Sequence, residues 1–395
     1  ELSLKLRRQK LALQYVVNLK SNPCNPAYAS VFQSNFKLLF EARPHVIPTL
    51  GIRLHKALVE SGIELGCIAQ YSLASSPPWL LYRPSFDYTL YSLGTKSDTF
   101  PDLYLSCYRE LVSAYEGYRK IFTDGSKKGS AVSAAAVTFG KVLVKRLPDQ
   151  SSIFSAESRA VLLALDIMKQ SRERRFLIVS DSLSCLKSLE NRNFQNPLIL
   201  EILEGVDTLL RSGYSVTLMW VPSHIGIEGN GAADATAKAA LSLRMSLSPV
   251  PYCDFKPLVS AYVNSLWQKS WDGETNNKLH RLQPVIGQYR HGRLTRRDEV
   301  LIHRLRVGHS HLTHSYLLKK EQPPSCESCH VPLTLEHVLI VCRKYTVQRK
   351  KYLQNVDCLE DLFNCVSYYR IVEYIKEIGI YRKILFIMFS QSVLS

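Results

Sequence analysis

Trp220-Val-Pro-Ser-His224-Ile-Gly226-Ile-Glu-Gly229-Asn230-Gly-Ala-Ala-Asp234-Ala-Thr-Ala-Lys238 is the stretch whose reading decides the fold. An apolar run over 215–221, closed by Trp220, reads as a buried strand. A glycine-rich loop carrying His224 follows, and 229–240 reads as a short helix bearing Asp234. Upstream, Phe176-Leu-Ile-Val-Ser-Asp181 ends a second apolar run (176–179) on a carboxylate. Helical spacing over 183–189 and 197–210 separates these two strands. Further back, Ser-Ala-Glu157 opens a helix expected over 156–169, with Val161, Leu162 and Leu165 on its apolar face. Three apolar runs at 121–123, 131–139 and 142–146 are joined around Gly129 and Gly140, which suit hairpins. Hairpin-linked strands followed by strand–helix alternation predict an α/β fold, a mixed five-stranded sheet with flanking helices.

Asp124 stands in Ile-Phe-Thr-Asp124-Gly-Ser, where the first strand is expected to meet a turn. If the first and fourth strands are parallel neighbours, Asp124 and Asp181 share one edge of the sheet, the edge at which ligand sites of α/β sheets collect. Glu157 and Asp234 can reach that edge from their helices. A lone aspartate at a strand end is more often a turn-former or a helix cap. Four acids in this order of elements are a stronger signal. Clustered carboxylates repel unless neutralised, and magnesium favours carboxylates together with substrate phosphate oxygens. Two such ions about 3.5–4 Å apart can activate water and stabilise the leaving oxygen of a phosphodiester.

Thr-Asp124-Gly-Ser, Ala-Glu157, Ser-Asp181-Ser and the Trp220–Lys238 block together resemble a type 1 ribonuclease H domain, spanning 121–240. The resemblance implies an endonuclease that cuts the RNA strand of an RNA–DNA hybrid with two Mg2+ ions (or Mn2+), leaving 5′-phosphates. It places Asp124 between both ions, Glu157 and Asp181 on the ion at the leaving oxygen, and Asp234 with Asp124 on the ion that activates water. His224, in a loop with Gly226 and Gly229 on its far side, would assist proton transfer or product release; otherwise it is a solvated loop histidine. Ser126, Ser182 and Asn230 are candidates for substrate contact, the two serines equally for turn capping. Gly231 departs from the family, which often has Glu there, and the short connection at 190–197 lacks the basic helical handle of some relatives. Grip would then come from neighbouring regions.

The chain has 395 residues, a net charge of +16, 46% hydrophobic residues and 21% charged residues, a composition of two or three folded domains with a polyanionic partner, either nucleic acid or an anionic surface. Its first methionine is Met168, from which a longer polypeptide is expected. The longest apolar run, 384–389, falls far short of the ~20 residues of a membrane span. The ten cysteines are scattered, which suits a reduced intracellular compartment, nucleus or cytoplasm, rather than a disulfide framework. Residues 1–21 read as a helix ended by Asn22-Pro23, and 73–101 as an extended connector rich in Ser, Pro and Tyr.

Arg43-Pro44 through Pro78-Trp-Leu-Leu, and Leu294 through His314, resemble the flanks of the RNase H domain in jockey-like non-LTR retrotransposon polyproteins. That implies an upstream reverse transcriptase, with 1–115 as its thumb and connection, 116–245 as the RNase H domain and 252–395 as a mainly helical basic tail. Cys326-x2-Cys329-x7-His337-x4-Cys342 offers three thiolates and an imidazole, a closed set for structural Zn2+; the alternative is unrelated free thiols. The tail's arginines and histidines over 278–320 would contact element RNA or target DNA, or form a solvated face. Two other classes stay open: a nucleic-acid-binding relic without catalysis, and a DNA nuclease or integrase-like enzyme of the same fold.

Overall fold

A computed structural model describes residues 2–33, 37–43, 45–70, 77–94, 99–192, 194–287, 294–354 and 356–385. The chain divides into two compact units, Glu1–Val263 and Asn264–Ser395. The boundary expected near residue 115 therefore falls inside the first unit.

That unit opens with α1 (Leu4–Lys20), α2 (Ala27–Phe32), α3 (Lys37–Glu41) and α4 (Leu50–Ser61). The α1 helix stops just before Asn22-Pro23, as the proline requires, and buries Leu13, Val16, Val17 and Leu19. The sheet is built from β1 (Ser85–Asp87), β2 (Arg119–Lys128), β3 (Ala131–Thr138), β4 (Lys141–Leu147), β5 (Arg175–Ser180) and β6 (Ser215–Trp220), in the order β1-β6-β5-β2-β3-β4. The β2–β3 and β3–β4 pairs are antiparallel, whereas β5 runs parallel to β2, β6 to β5 and β1 to β6.

The mixed sheet and its helices are as the sequence predicts, with one addition. Ser85-Phe-Asp87, inside the presumed connector, pairs with Thr217–Met219 as a sixth strand. Three residues are too few to show a period, so nothing local betrays them. The β2 strand is also longer than expected. Its parallel pairing with β5 ends at Thr123, but its pairing with β3 runs on to Lys128, so Asp124 lies within a strand and not at a turn.

Alternation along the strands sorts side chains to two faces. Phe176, Ile178, Val216 and Leu218 point into a core completed by α6 (Ile153–Lys169), α7 (Leu183–Glu190) and α8 (Pro197–Arg211). Leu177, Val179, Met219 and Val221 point the other way, into a core with Leu90 and with Tyr104 and Tyr108 of α5 (Pro101–Ser113). The last helix of the sheet region, α9 (Glu228–Ala240), packs on β2 and β3, and Ser133 donates to the carbonyl of Ala237 at 2.5 Å.

The helix α10 (Phe255–Asp272) spans the division between units. The second unit holds α11 (Lys278–Leu282), α12 (Arg296–Val307), α13 (His311–Lys319), α14 (Thr346–Tyr352), α15 (Leu359–Cys365), α16 (Tyr368–Glu377) and α17 (Tyr381–Leu385). Thr295 caps α12 by accepting from the Asp298 amide at 3.3 Å, and Leu301, Ile302 and Leu305 are buried in the core of this unit. Of the arginines expected over 278–320 to contact nucleic acid or face solvent, two on α12 are engaged inside the unit: Arg304 donates to the Ile384 carbonyl, and Arg306, which is buried, donates to Gln283. Residues 288–293, with the expected contacts Arg290 and Arg293, lie outside the described residues.

Candidate active site

The register places the first two acids. Thr123 of β2 pairs with Ser180 of β5, and Asp124 and Asp181 are the next residues on these parallel neighbours. Glu157 comes from the fifth position of α6, whose first residue lies three earlier than expected and whose N-cap is Ser152. Asp254 fixes that cap from downstream, accepting from the Ser152 amide at 3.0 Å and its hydroxyl at 2.8 Å. Glycine at 125 lets α6 approach: a Cβ there would stand 2.7 Å from the Glu157 amide nitrogen and 2.9 Å from the Ala156 methyl. A larger residue would push the helix, and its carboxylate, away from the strand.

Asp124, Glu157 and Asp181 each offer an oxygen within 4.8 Å of the others. Opposite ligands of one magnesium ion stand about 4.1 Å apart, so the trio has the dimensions of a cation site. Its electrostatics point the same way. Burial and the charges of Asp181 and Asp234 push Asp124 up to about 7. Burial and the charges of Asp124 and Asp181 push Glu157 up to about 9. Burial also raises Asp181, against the opposing pull of Asn230 and His224. Glu157 Oε2 is buried with no hydrogen-bond partner, an acceptor that a bound cation would satisfy.

Asp234 lies outside the close trio. It is half-buried on α9, ion-paired with Lys238 at 2.8 Å, and near enough to raise Asp124. Lys238, one turn on, was legible as an i,i+4 partner and was passed over. His224 is exposed, with a left-handed φ of 54°, and its charge acts on Asp181. The loop around it is anchored, since Val221 before it and Ile225 and Ile227 after it are buried. Mobility, if His224 uses it, belongs to the side chain.

Asn230 is 4% exposed and donates to Asp181 Oδ2 at 3.3 Å, so it orients that acid from behind. Ser126 is half-buried on β2, two residues past Asp124. Ser182 precedes α7 without capping it, and its hydroxyl meets that of Ser184 at 3.4 Å. Trp220, read in the sequence as the close of a strand, also donates its indole N–H to the Asp181 carbonyl at 3.2 Å and fixes the backbone that carries the acid.

These raised values set a pH dependence. Both folded-state values exceed the ordinary 3.8 of Asp and 4.5 of Glu, so the folded protein keeps protons that the unfolded chain releases. Their contribution to stability is complete below about pH 4 and is lost as pH rises through about 7 and then about 9. Melting of the sheet-bearing unit, followed with zinc present and magnesium absent, is expected to weaken steadily from acid to alkaline pH. Added magnesium should flatten the curve. A flat magnesium-free profile would reject the crowded-carboxylate site.

In the second unit, Cys326, Cys329, His337 and Cys342 bring their donor atoms within 4.8 Å of one another, whereas His330 is not among them. Cys326 and Cys342 Sγ are 3.8 Å apart. Two thiolates on one tetrahedral zinc, with Zn–S of about 2.3 Å, would stand about 3.8 Å apart. The knuckle is a tight hairpin: the Cys326 amide donates to Val331 and the His330 amide to Cys326, both at 2.8 Å. The His-x4-Cys pair spans a π turn (His337–Val341) closed by the Cys342 amide on the His337 carbonyl at 2.7 Å. The His337 imidazole, with the Ser328 and Cys329 amides, holds the Cys326 thiol down to about 6. Burial pushes Cys342 up to about 11.

Residues 117–242 match the RNase H family. Over 124 residues the chain is 34% identical to the Pol polyprotein of equine infectious anemia virus (strain Wyoming), and over 123 residues it is 33% identical to that of isolate 1369. Each match covers 30% of this chain and 10% of the polyprotein, so the chain corresponds to a small part of these relatives. Family, sheet topology and acid cluster coincide on the same stretch.

Proposed function

We propose that the chain is an endoribonuclease that hydrolyses the RNA strand of an RNA–DNA hybrid, within a retrotransposon polyprotein of the jockey-like non-LTR type. The observation that carries this reading is the convergence of Asp124, Glu157 and Asp181 at the carboxyl edge of adjacent parallel strands. Asp234 completes the set from α9. Magnesium, when bound, supplies a nucleophile from water at neutral pH and charge stabilisation at the leaving oxygen.

The protein's own groups hold and orient. Asp124 sits between the other acids and is the best placed to serve two cations at once. Asn230 and Trp220 keep Asp181 in register through its carboxylate and its carbonyl. His224, exposed beside Asp181, is placed to carry a proton to the 3′-oxygen or to draw product out. Ser126 and Ser182 flank the acids and suit contact with phosphate or 2′-hydroxyl oxygens. Lys238 balances Asp234 until substrate and cations arrive.

The net charge of +16 suits a polyanionic substrate. Among the described residues no helix is long and apolar enough to cross a membrane. The Cys3His cluster is read as structural zinc, because four protein donors leave no open position for chemistry. Arg343, Lys344, Lys350 and Lys351 beside it suit contact with element RNA or target DNA. A reverse transcriptase upstream would supply the hybrid, in the nucleus or cytoplasm. Labelled hybrid, duplex DNA and duplex RNA, each with and without magnesium, test the assignment. Magnesium-dependent cleavage of the hybrid's RNA strand is expected. Cleavage of duplex DNA but not hybrid would reverse it, and inertness on all three would leave only a binding protein.

A further inference from the structure

Segment 85–94 lies outside the stretch that matches the family, yet it reaches the mouth of the acid site. Ser180 pairs with Trp220 and Met219 with Asp87, so β1 ends at the same edge as β5 and β6. A short 3₁₀ turn (Thr89–Leu93) follows and presents the ring of Tyr91, which is 51% exposed. That ring meets Trp220 edge-on, with centroids 5.5 Å apart and planes at 86°. Trp220 in turn holds the Asp181 carbonyl. An exposed aromatic thus stands one residue away, in contact terms, from a proposed metal ligand.

The turn that carries it is pinned on every side. Leu90 is fully buried, Asp87 accepts from the Thr89 amide at 3.0 Å and the Tyr115 hydroxyl at 2.7 Å, and Tyr104 donates to the Gly94 carbonyl at 2.8 Å. A ring held rigidly in water loses little freedom when something packs on it. Two cations on this side are engaged within the protein. Lys187 lies 3.8 Å from the centre of the Tyr88 ring and bonds Glu190 at 2.8 Å, and Arg192 donates to the Leu81 carbonyl at 3.1 Å. What this side of the site offers a nucleic acid is an aromatic surface more than a row of free charges. Three strand spacings of about 4.8 Å separate β1 from β2, roughly 14 Å in all. At ~3.4 Å per nucleotide that is about four steps along a strand.

We propose that Tyr91, backed by Trp220, packs on the sugar–base surface of the bound hybrid about four nucleotides from the cleaved bond. Residues 85–94 then belong to the nuclease and supply part of the grip that the short 190–197 connection does not. The inference rests on the hybrid as substrate.

Binding of a fluorescein-labelled hybrid to the full chain, in a non-cleaving Asp124→Asn background with magnesium present, tests it by anisotropy. Adding Tyr91→Ala should raise Kd about five-fold, the scale of one lost aromatic packing contact. Tyr91→Phe should stay within about two-fold, since the ring and not the hydroxyl makes the contact. The slope of log Kd against log salt should be the same for all three proteins, because tyrosine releases no counterions. A Tyr91→Ala protein that binds like its parent overturns the proposal alone. So does a slope that flattens along with the affinity, which would mean that phosphate contacts were lost through a distorted site. A parent that binds no hybrid overturns the substrate assignment and this inference with it.

Discussion

Asp124→Asn is expected to cut magnesium-dependent hybrid cleavage by on the order of 10³-fold, the scale for losing a group that stabilises developing charge, while the protein stays folded. The two halves of this result have separate causes. Asparagine keeps the shape of the side chain and its place between the Glu157 and Asp181 carboxylates, so packing on β2 is unchanged. It removes the charge that cations need. It also removes a charge that the metal-free protein tolerates poorly, since burial and its acidic neighbours push Asp124 up to about 7. Without magnesium at pH 8 the variant should therefore melt no lower than the parent and, by the linkage argument, somewhat higher. Magnesium should raise the melting temperature of the parent more than that of the variant. Retained cleavage would remove the metal proposal. Lost cleavage with a collapsed melting temperature would show that Asp124 is needed for the fold instead.

Asp124, Glu157 and Asp181 stood out because each sits at the end of an apolar run or near the head of an amphipathic one, and strand polarity then brings two of them to one edge. What stayed hidden is what the third dimension adds. Gly125 looks like the start of a turn after Asp124, but it continues β2 and is small because α6 crosses there. Ser85-Phe-Asp87 has no pattern of its own and becomes a strand only because β6 offers an unpaired edge. Asp254, far along the chain, caps the helix that delivers Glu157, which no local reading could reveal. The Cys-Cys-His-Cys spacing was readable for the opposite reason: ligand spacing is set by covalent geometry over a few residues. Arg304 and Arg306 of α12 were misread because charge in sequence does not tell whether a guanidinium faces water or a partner inside the fold.

Removing zinc should cost the second unit its fold while the sheet-bearing unit survives. The donors are embedded in the core: Cys342 is fully buried, Cys326 and His337 are 7% and 8% exposed, and Leu335, Val338 and Leu339 between them pack with Leu301, Leu305, Ile371 and Ile375. Two further bonds join the knuckle to that core, from the Tyr374 hydroxyl to the Val338 carbonyl at 2.7 Å and from Arg349 to the Cys342 carbonyl at 2.6 Å. Without a cation, an imidazole nitrogen, His337 Nε2, is left buried without a hydrogen-bond partner, which is costly in an apolar core. Structural zinc sites bind with about 10–16 kcal/mol, more than the whole stability of many small domains. A zinc-selective chelator should therefore release about one zinc per chain, with loss of helical circular dichroism and of one of two melting transitions. Cys326→Ser should reproduce the loss, and zinc should not restore it. Hybrid cleavage measured on the chelated chain with magnesium present then asks whether the tail serves the active site or only itself. Protein that purifies without zinc and melts identically with and without chelator would reduce the four residues to unconnected thiols and a histidine.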